Sequence, residues 1–254
     1  SAAVVSLAKP AEEQSAARPP VYRDKVYQMV ALDLGNRGYP DSQMGVISLI
    51  RQTFFDAQFQ FEGRKAGTFG EPLNCLDALL GPGVPTRLVM NAEDELEVLR
   101  NAKIAKEFSQ KVVILGSGSE FKRLPAIVAD GLAFIEPLNF PKAPDVSSPG
   151  KLESMDLRTL MTWEEAPTNP RRMAKAGIQF ALTTAKLKNR DDFAGNLRKA
   201  IKHGLTEEQA LAALTTTPAA LLDVADQLGT VEAGKRADLV VADGPVFGEK
   251  TKLR

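Results

Sequence analysis

Two hydrophobic periods alternate along most of this chain. Short, almost uniformly apolar runs bounded by turn residues are followed by longer stretches in which apolar residues recur at helical spacing. The runs are Arg87–Asn91 (RLVMN), Lys111–Leu115 (KVVIL), Ala133–Leu138 (AFIEPL) and Ile178–Thr183 (IQFALT). The helical stretches are Asp94–Phe108, Glu120–Asp130 (weakened by Pro125), Leu157–Ala176 and Asp191–Lys202. Strands with no polar face, each followed by a helix, predict βα units and a parallel sheet. Four such units make half of an eight-stranded barrel, which takes about 250 residues in full.

The flanks are patterned differently. Ser1–Pro20 is rich in Ala and Pro and predicts an extended arm. Val26–Leu34 is an apolar run of either type. Tyr39–Phe61 predicts a helix, with a start signal at Pro40-Asp41-Ser42 and apolar residues Met44, Ile47, Ile50 and Phe54 on one face. A short helix is expected over Leu73–Leu80. Near the end, Thr206 and Gln209 form a capping box, and Thr217-Pro218 reads as a cap and first-turn proline. Thr230–Glu232, a turn at Gly234 and Ala237–Ala242 predict a β-hairpin. The chain therefore divides into an arm (1–20), an α/β body (21–228) and a hairpin (229–254).

Charge and composition narrow the partners. Lys+Arg and Asp+Glu are 32 each, so no basic excess points to nucleic acid. No apolar run approaches the roughly 18 residues of a membrane span, and Ser1–Leu7 lacks the basic start of a signal peptide. Compartment stays open, because the one cysteine, Cys75, allows no internal disulfide. Cys75 lies among Leu73, Leu76, Leu79 and Leu80 and reads as a buried thiol rather than a nucleophile. The one histidine, His203, reads as a last-turn residue before a glycine cap at Gly204. Trp163 reads as helix packing.

Gly116-Ser117-Gly118-Ser119-Glu120 closes a strand and opens a helix. Amides in such a turn can hold an anion, although the pattern is neither a P-loop nor a dinucleotide fingerprint; a plain tight turn is the alternative. Glu120 and Glu136 are a candidate carboxylate pair for acid–base work, or else paired or solvated carboxylates. With Asn91, Asn139, Thr183, Thr184 and Lys186, the turn Gly116–Glu120 defines a candidate ligand pocket at the strand C-terminal ends, where barrel function resides.

The tail, GLTEEQALAALTTTPAALLDVADQLGTVEAGKRADLVVAD (Gly204–Asp243), resembles the C-terminal end of the amidohydrolase superfamily. Asn91–Phe108 followed by Lys111–Glu120 resembles its imidazolonepropionase-like branch. The resemblance covers roughly Tyr39–Asp243. It implies the C-terminal half or more of a (β/α)8 barrel, with the hairpin as part of a composite β-sandwich. It also implies hydrolysis of a non-peptide C–N bond, in a cyclic amide or N-acyl compound, by a zinc- or other divalent-metal-bound hydroxide. In this alignment the histidines closing family strands five and six fall on Asn91 and Gly116, and the strand-eight aspartate falls on Ala185. The strand-one His-x-His has no counterpart. A catalytic zinc takes about three protein ligands from His, Cys and carboxylates, so no metal or catalytic residue is carried over and no cofactor is expected in this chain. The first half of the family fold is expected to be missing. Three roles follow: an inactive hydrolase relative, a metal-free small-molecule-binding barrel, or a half-barrel acting by association with a second copy or an N-terminal fragment of the same protein.

Overall fold

The apolar runs fold as strands. The computed structural model describes residues 4–5, 21–24, 26–34, 38–68, 74–80 and 87–252. In chain order the elements are β1 (Val4–Val5), β2 (Val21–Arg23), β3 (Gln28–Val30), α1 (Gln43–Lys65), α2 (Asp77–Leu80), β4 (Arg87–Asn91), α3 (Glu95–Glu107) and β5 (Lys111–Leu115). There follow α4 (Leu124–Ala129), β6 (Ala133–Pro137), α5 (Pro149–Glu153), α6 (Leu157–Glu165), α7 (Asn169–Lys175), β7 (Phe180–Thr183), α8 (Asp192–Lys202), α9 (Glu207–Leu214) and α10 (Thr216–Leu221). Single 3-10 turns at Glu120–Lys122 and Ala166–Thr168 precede α4 and α7.

The main sheet has the order β3-β4-β5-β6-β7. Pairing is parallel between β3 and β4, with Met29 opposite Val89, and between β6 and β7, with Glu136 opposite Leu182. A doubly wound sheet reverses its strand order at a switch point; this one does not, so it is a segment of a barrel wall. Leu88, Val89 and Met90 of β4 and Val112, Val113 and Ile114 of β5 are buried, as befits parallel strands covered on both faces.

Contacts divide the chain into two units, residues 1–92 with 100–113 and residues 93–99 with 114–254. In the first, Ser42 caps α1 by accepting from Gly45 N at 3.2 Å. Phe54 of α1 stacks on Phe108 at 4.8 Å, and Phe55 meets the same ring edge-on at 5.0 Å. In the second, Phe134, Ile114, Leu138 and Met173 are fully buried, and α9 and α10 pack on β7. The capping box of Thr206 and Gln209 is present.

Several expectations are corrected. The body's first strand comes from the run of undecided type: Gln28–Val30 joins the sheet beside β4. Of the arm over 1–20, Val4–Val5 pair antiparallel with β2, and the rest lies outside the described residues. Pro125 does not weaken a long helix but opens a new one, in the first turn of α4, where its missing N–H costs nothing. Residue Thr215, not Thr217, is the cap position of α10. The hairpin over 230–242 is not formed as a two-stranded ladder among the described residues: a turn at 233–235 is flanked by backbone outside any strand, with a single bridge at Ala242. Val231, Leu239, Val240 and Val241 are exposed there, so the segment lacks the packing that stabilises a two-stranded ribbon. Cys75 is exposed, because the short α2 beside it buries no side chain.

Candidate functional site

The turn after β5 sets the geometry. Gly116 N donates to Ile135 O at 2.9 Å, carrying the ladder one residue past the strand. Gly118 has φ +85°, and a Cβ there would stand 2.5 Å from Asn139 Oδ1, so both backbone and space require glycine. Asn139 Nδ2 donates to Ser117 O at 3.2 Å. Ser117 N and Oγ both donate to Glu120 Oε1, at 2.6 and 2.9 Å. The acceptor that this turn holds is thus its own Glu120 carboxyl.

Glu120 lies against a second acid. Glu120 and Glu136 are both fully buried. Glu136 projects inward from β6, a strand whose other inward side chains are apolar. Asn169, at the start of α7, bridges the two carboxyls: its Nδ2 lies 2.9 Å from Glu120 Oε2 and 2.7 Å from Glu136 Oε1. Its Oδ1 accepts from Phe121 N at 2.9 Å. Glu136 Oε2 is buried and has no donor partner. Its neighbours are Glu120, itself an acceptor, and the bare Gly116. Burial first, then the facing Glu120, pushes the Glu136 carboxyl well above the ordinary carboxylate range; Asn169 and Lys186 oppose this only in part. A proton on Glu136 turns an acceptor–acceptor contact into a hydrogen bond to Glu120 and removes the cost of a buried charge.

The other expected site residues distribute as follows. Asn91 closes β4 in the first unit, its carbonyl accepting from Asn101 Nδ2 at 2.8 Å. Thr183 ends β7, and its Oγ1 accepts from Ala185 N at 3.1 Å; Thr184 is exposed. Lys186 sits at φ +61°, with Nζ 3.4 Å from Glu93 Oε1. In the second unit the fold therefore brings together Gly116–Glu120, Glu136 and Asn139, with Lys186 in electrostatic reach. His203 is the C-cap of α8, followed by Gly204 at φ +100°, and Trp163 is half-buried on α6.

Sequence reasoning missed Asn169 and Glu95. Asn169-Pro170 lies inside the stretch read as helical, and nothing local says that its amide bridges two distant carboxyls. Glu95 reads as a first-turn acid of α3 but is buried. It accepts from Ser119 Oγ at 3.0 Å and pairs with Arg158 at 3.5 Å and Lys122 at 3.9 Å.

Among the described residues no three His, Cys, Asp or Glu side chains stand together as a metal-holding group. A Cβ on Gly116 would fall 2.2 Å from Glu136 Oε2, so a ligating side chain there would collide with the acid. The two carboxyls already accept from the Asn169 amide, a donor aimed where a cation would bind.

Sheet order and strand-end geometry thus define a segment of a (β/α)8 barrel. Residues 165–253 match the Amidohydrolase family model. The chain is 34% identical over 94 residues to an imidazolonepropionase of Thermoplasma acidophilum (36% of this chain, 23% of that protein). It is 30% identical over 147 residues to one of Shouchella clausii (56% and 32%). This chain spans about a third or less of the length of these relatives. In fold it matches an amidohydrolase from Thermotoga maritima with a TM-score of 0.68 and 20% identity, over 92% of this chain and 61% of that one. Together these make residues 165–253 similar to the amidohydrolase family, and the whole chain similar in fold to part of an amidohydrolase barrel.

Proposed function

We propose that this chain is part of a hydrolase-type protein of the imidazolonepropionase-like branch whose own side chains do not supply the catalytic metal centre. By resemblance, the chemistry of that branch is hydrolysis of a non-peptide C–N bond in a cyclic amide or N-acyl compound. One observation carries the reading: Glu136 Oε2 fills the space that a side chain on residue 116 would need. A dry acid pair then stands where a strand end would offer a ligand. Any ligand of this face is expected near Asn139, Thr183, Thr184 and Lys186, at the strand ends. The test is turnover of an imidazolone-type cyclic amide by the purified chain, with and without added zinc, followed by ring absorbance. No rate above buffer is expected in either case; zinc-dependent turnover would overturn the reading.

We further propose that the chain works in association, with a second copy or an N-terminal fragment of the same protein. The support is β7, which ends the sheet order, and the exposed valines and leucine of the tail. Unpaired strand edges and apolar surface favour association. Sedimentation should give a mass above the 27.5 kDa of one chain; a monodisperse monomer would count against it.

A further inference from the structure

A cleft of about 720 Å³ opens in the second unit between the 3-10 turn at Glu120–Lys122, α6 and α7. It is separate from the acid pair and does not depend on the hydrolase reading. Its apolar lining is Phe121, Leu157 and Met161, of which Leu157 and Met161 are exposed. Four cations line it, Lys122, Arg123, Arg158 and Arg172, against two carboxylates, Glu95 and Glu165. Arg172 pairs with Glu165 and lies over the Phe121 ring, 5.6 Å from its centroid, leaving that ring flanked by positive charge.

The balance of charge is the informative part. Glu95 is buried and faces Lys122 and Arg158, but through long contacts of 3.9 and 3.5 Å. One carboxylate cannot saturate three ammonium and five guanidinium donors. The Arg158 side chain is 77% exposed, and Arg123 has no ion pair among the described residues. The cleft thus holds unspent cationic donors around an apolar, aromatic surface. Ligand pockets pair apolar walls with a few orienting polar groups in this way, and arginine suits a planar carboxylate.

We propose that this cleft binds a small organic carboxylate with an apolar body: the body lies on Phe121, Leu157 and Met161, and the carboxylate is taken by Arg158 and Arg123. The probe is 3-phenylpropanoate, titrated into the whole chain by calorimetry or by NMR of labelled arginine side chains. Saturable binding is expected, in the micromolar-to-millimolar range for a ligand of this size. The neutral 3-phenylpropanamide and inorganic phosphate should each bind at least about tenfold more weakly, since one lacks the charge-assisted contact and the other the apolar body. Arg158→Gln and Arg123→Gln should each raise Kd about tenfold. Both are surface changes, so circular dichroism should confirm an unchanged fold, and Leu157→Ser serves as an independent probe of the apolar wall. Absence of saturable binding, equal affinity for the amide, equal affinity for phosphate, or Arg variants with unchanged Kd would each overturn the proposal.

Discussion

The second unit contains two carboxylate clusters that handle the same functional group in opposite ways. At Glu120 and Glu136 the acids face each other out of water and share one amide donor. At Glu95 a buried acid faces Arg158, Lys122 and the Ser119 hydroxyl. A buried carboxyl with no cation beside it lowers its free energy by keeping its proton; one with cations can remain charged. The first cluster is therefore sealed from solvent, and the second borders a cleft with donors to spare. A negative residue in a pocket does not by itself announce catalysis; what stands opposite it decides.

The comparison breaks most readily at Asn169. Asn169→Ala removes the donor to both acids and strands the Phe121 N–H, three hydrogen bonds in all, two of them buried and one partly so. At roughly 1–3 kcal/mol per buried group left unsatisfied, a loss of about 4 kcal/mol is expected in urea denaturation. A loss under about 1 kcal/mol would mean that the acids repack without it.

Next comes Gly116→Ala. The added methyl would stand 2.2 Å from Glu136 Oε2, and overpacking a filled interior costs about 1–3 kcal/mol. The upper end is expected, because both neighbours are themselves buried. In a Glu136→Ala background the same substitution should cost less than about 1 kcal/mol, a coupling that a double-mutant cycle reads directly. Equal costs in the two backgrounds would show that Glu136 is not what fills the space.

Much of the fold was legible, and the reason is local. Strands such as RLVMN and KVVIL carry their burial in their composition, and the caps at Ser42 and Thr206 depend only on residues three apart. The glycine turn was legible as a turn, and Glu120 and Glu136 as a pair of acids. Their meeting through Asn169 was not, because Asn169 is separated from Glu120 by 49 positions and from Glu136 by 33, and one sequence has no signal for such a pairing. Glu95 hid for the same reason: Arg158 reaches it from 63 positions away. The hairpin and the buried Cys75 failed differently. Their apolar residues were read correctly, but no packing partner covers them among the described residues.

The acid pair also predicts a pH slope. Glu136 has its carboxyl raised above the ordinary value of 4.5 in the folded state. Its contribution to stability is fully present below that value. It is lost as pH climbs toward the folded-state value, because the unfolded chain releases the proton first. Glu136→Gln keeps the shape and supplies an amide N–H toward Glu120, without a titrating group. Its stability relative to the parent should therefore rise from about pH 5 to about pH 8. Denaturation midpoints that run parallel across this range would show that Glu136 is ionised in the fold.

The smallest effect belongs to the other cluster. Lys122 lies 3.9 Å from Glu95, and Arg158 and Ser119 remain when it is removed. Long, partly exposed ion pairs are worth about 0–1 kcal/mol, so Lys122→Gln should cost no more than about 0.5 kcal/mol. That cost should shrink further in salt, since exposed charge is screened. The contrast with Asn169→Ala is the point of the measurement. Both substitutions remove a partner of a buried glutamate, but Glu95 has other donors to turn to, and Glu136 has no other amide or hydroxyl donor among the described residues. A loss at Lys122 as large as that at Asn169, persisting in high salt, would mean that Glu95 is as sealed as the acid pair and that the cleft beside it is not an open binding surface.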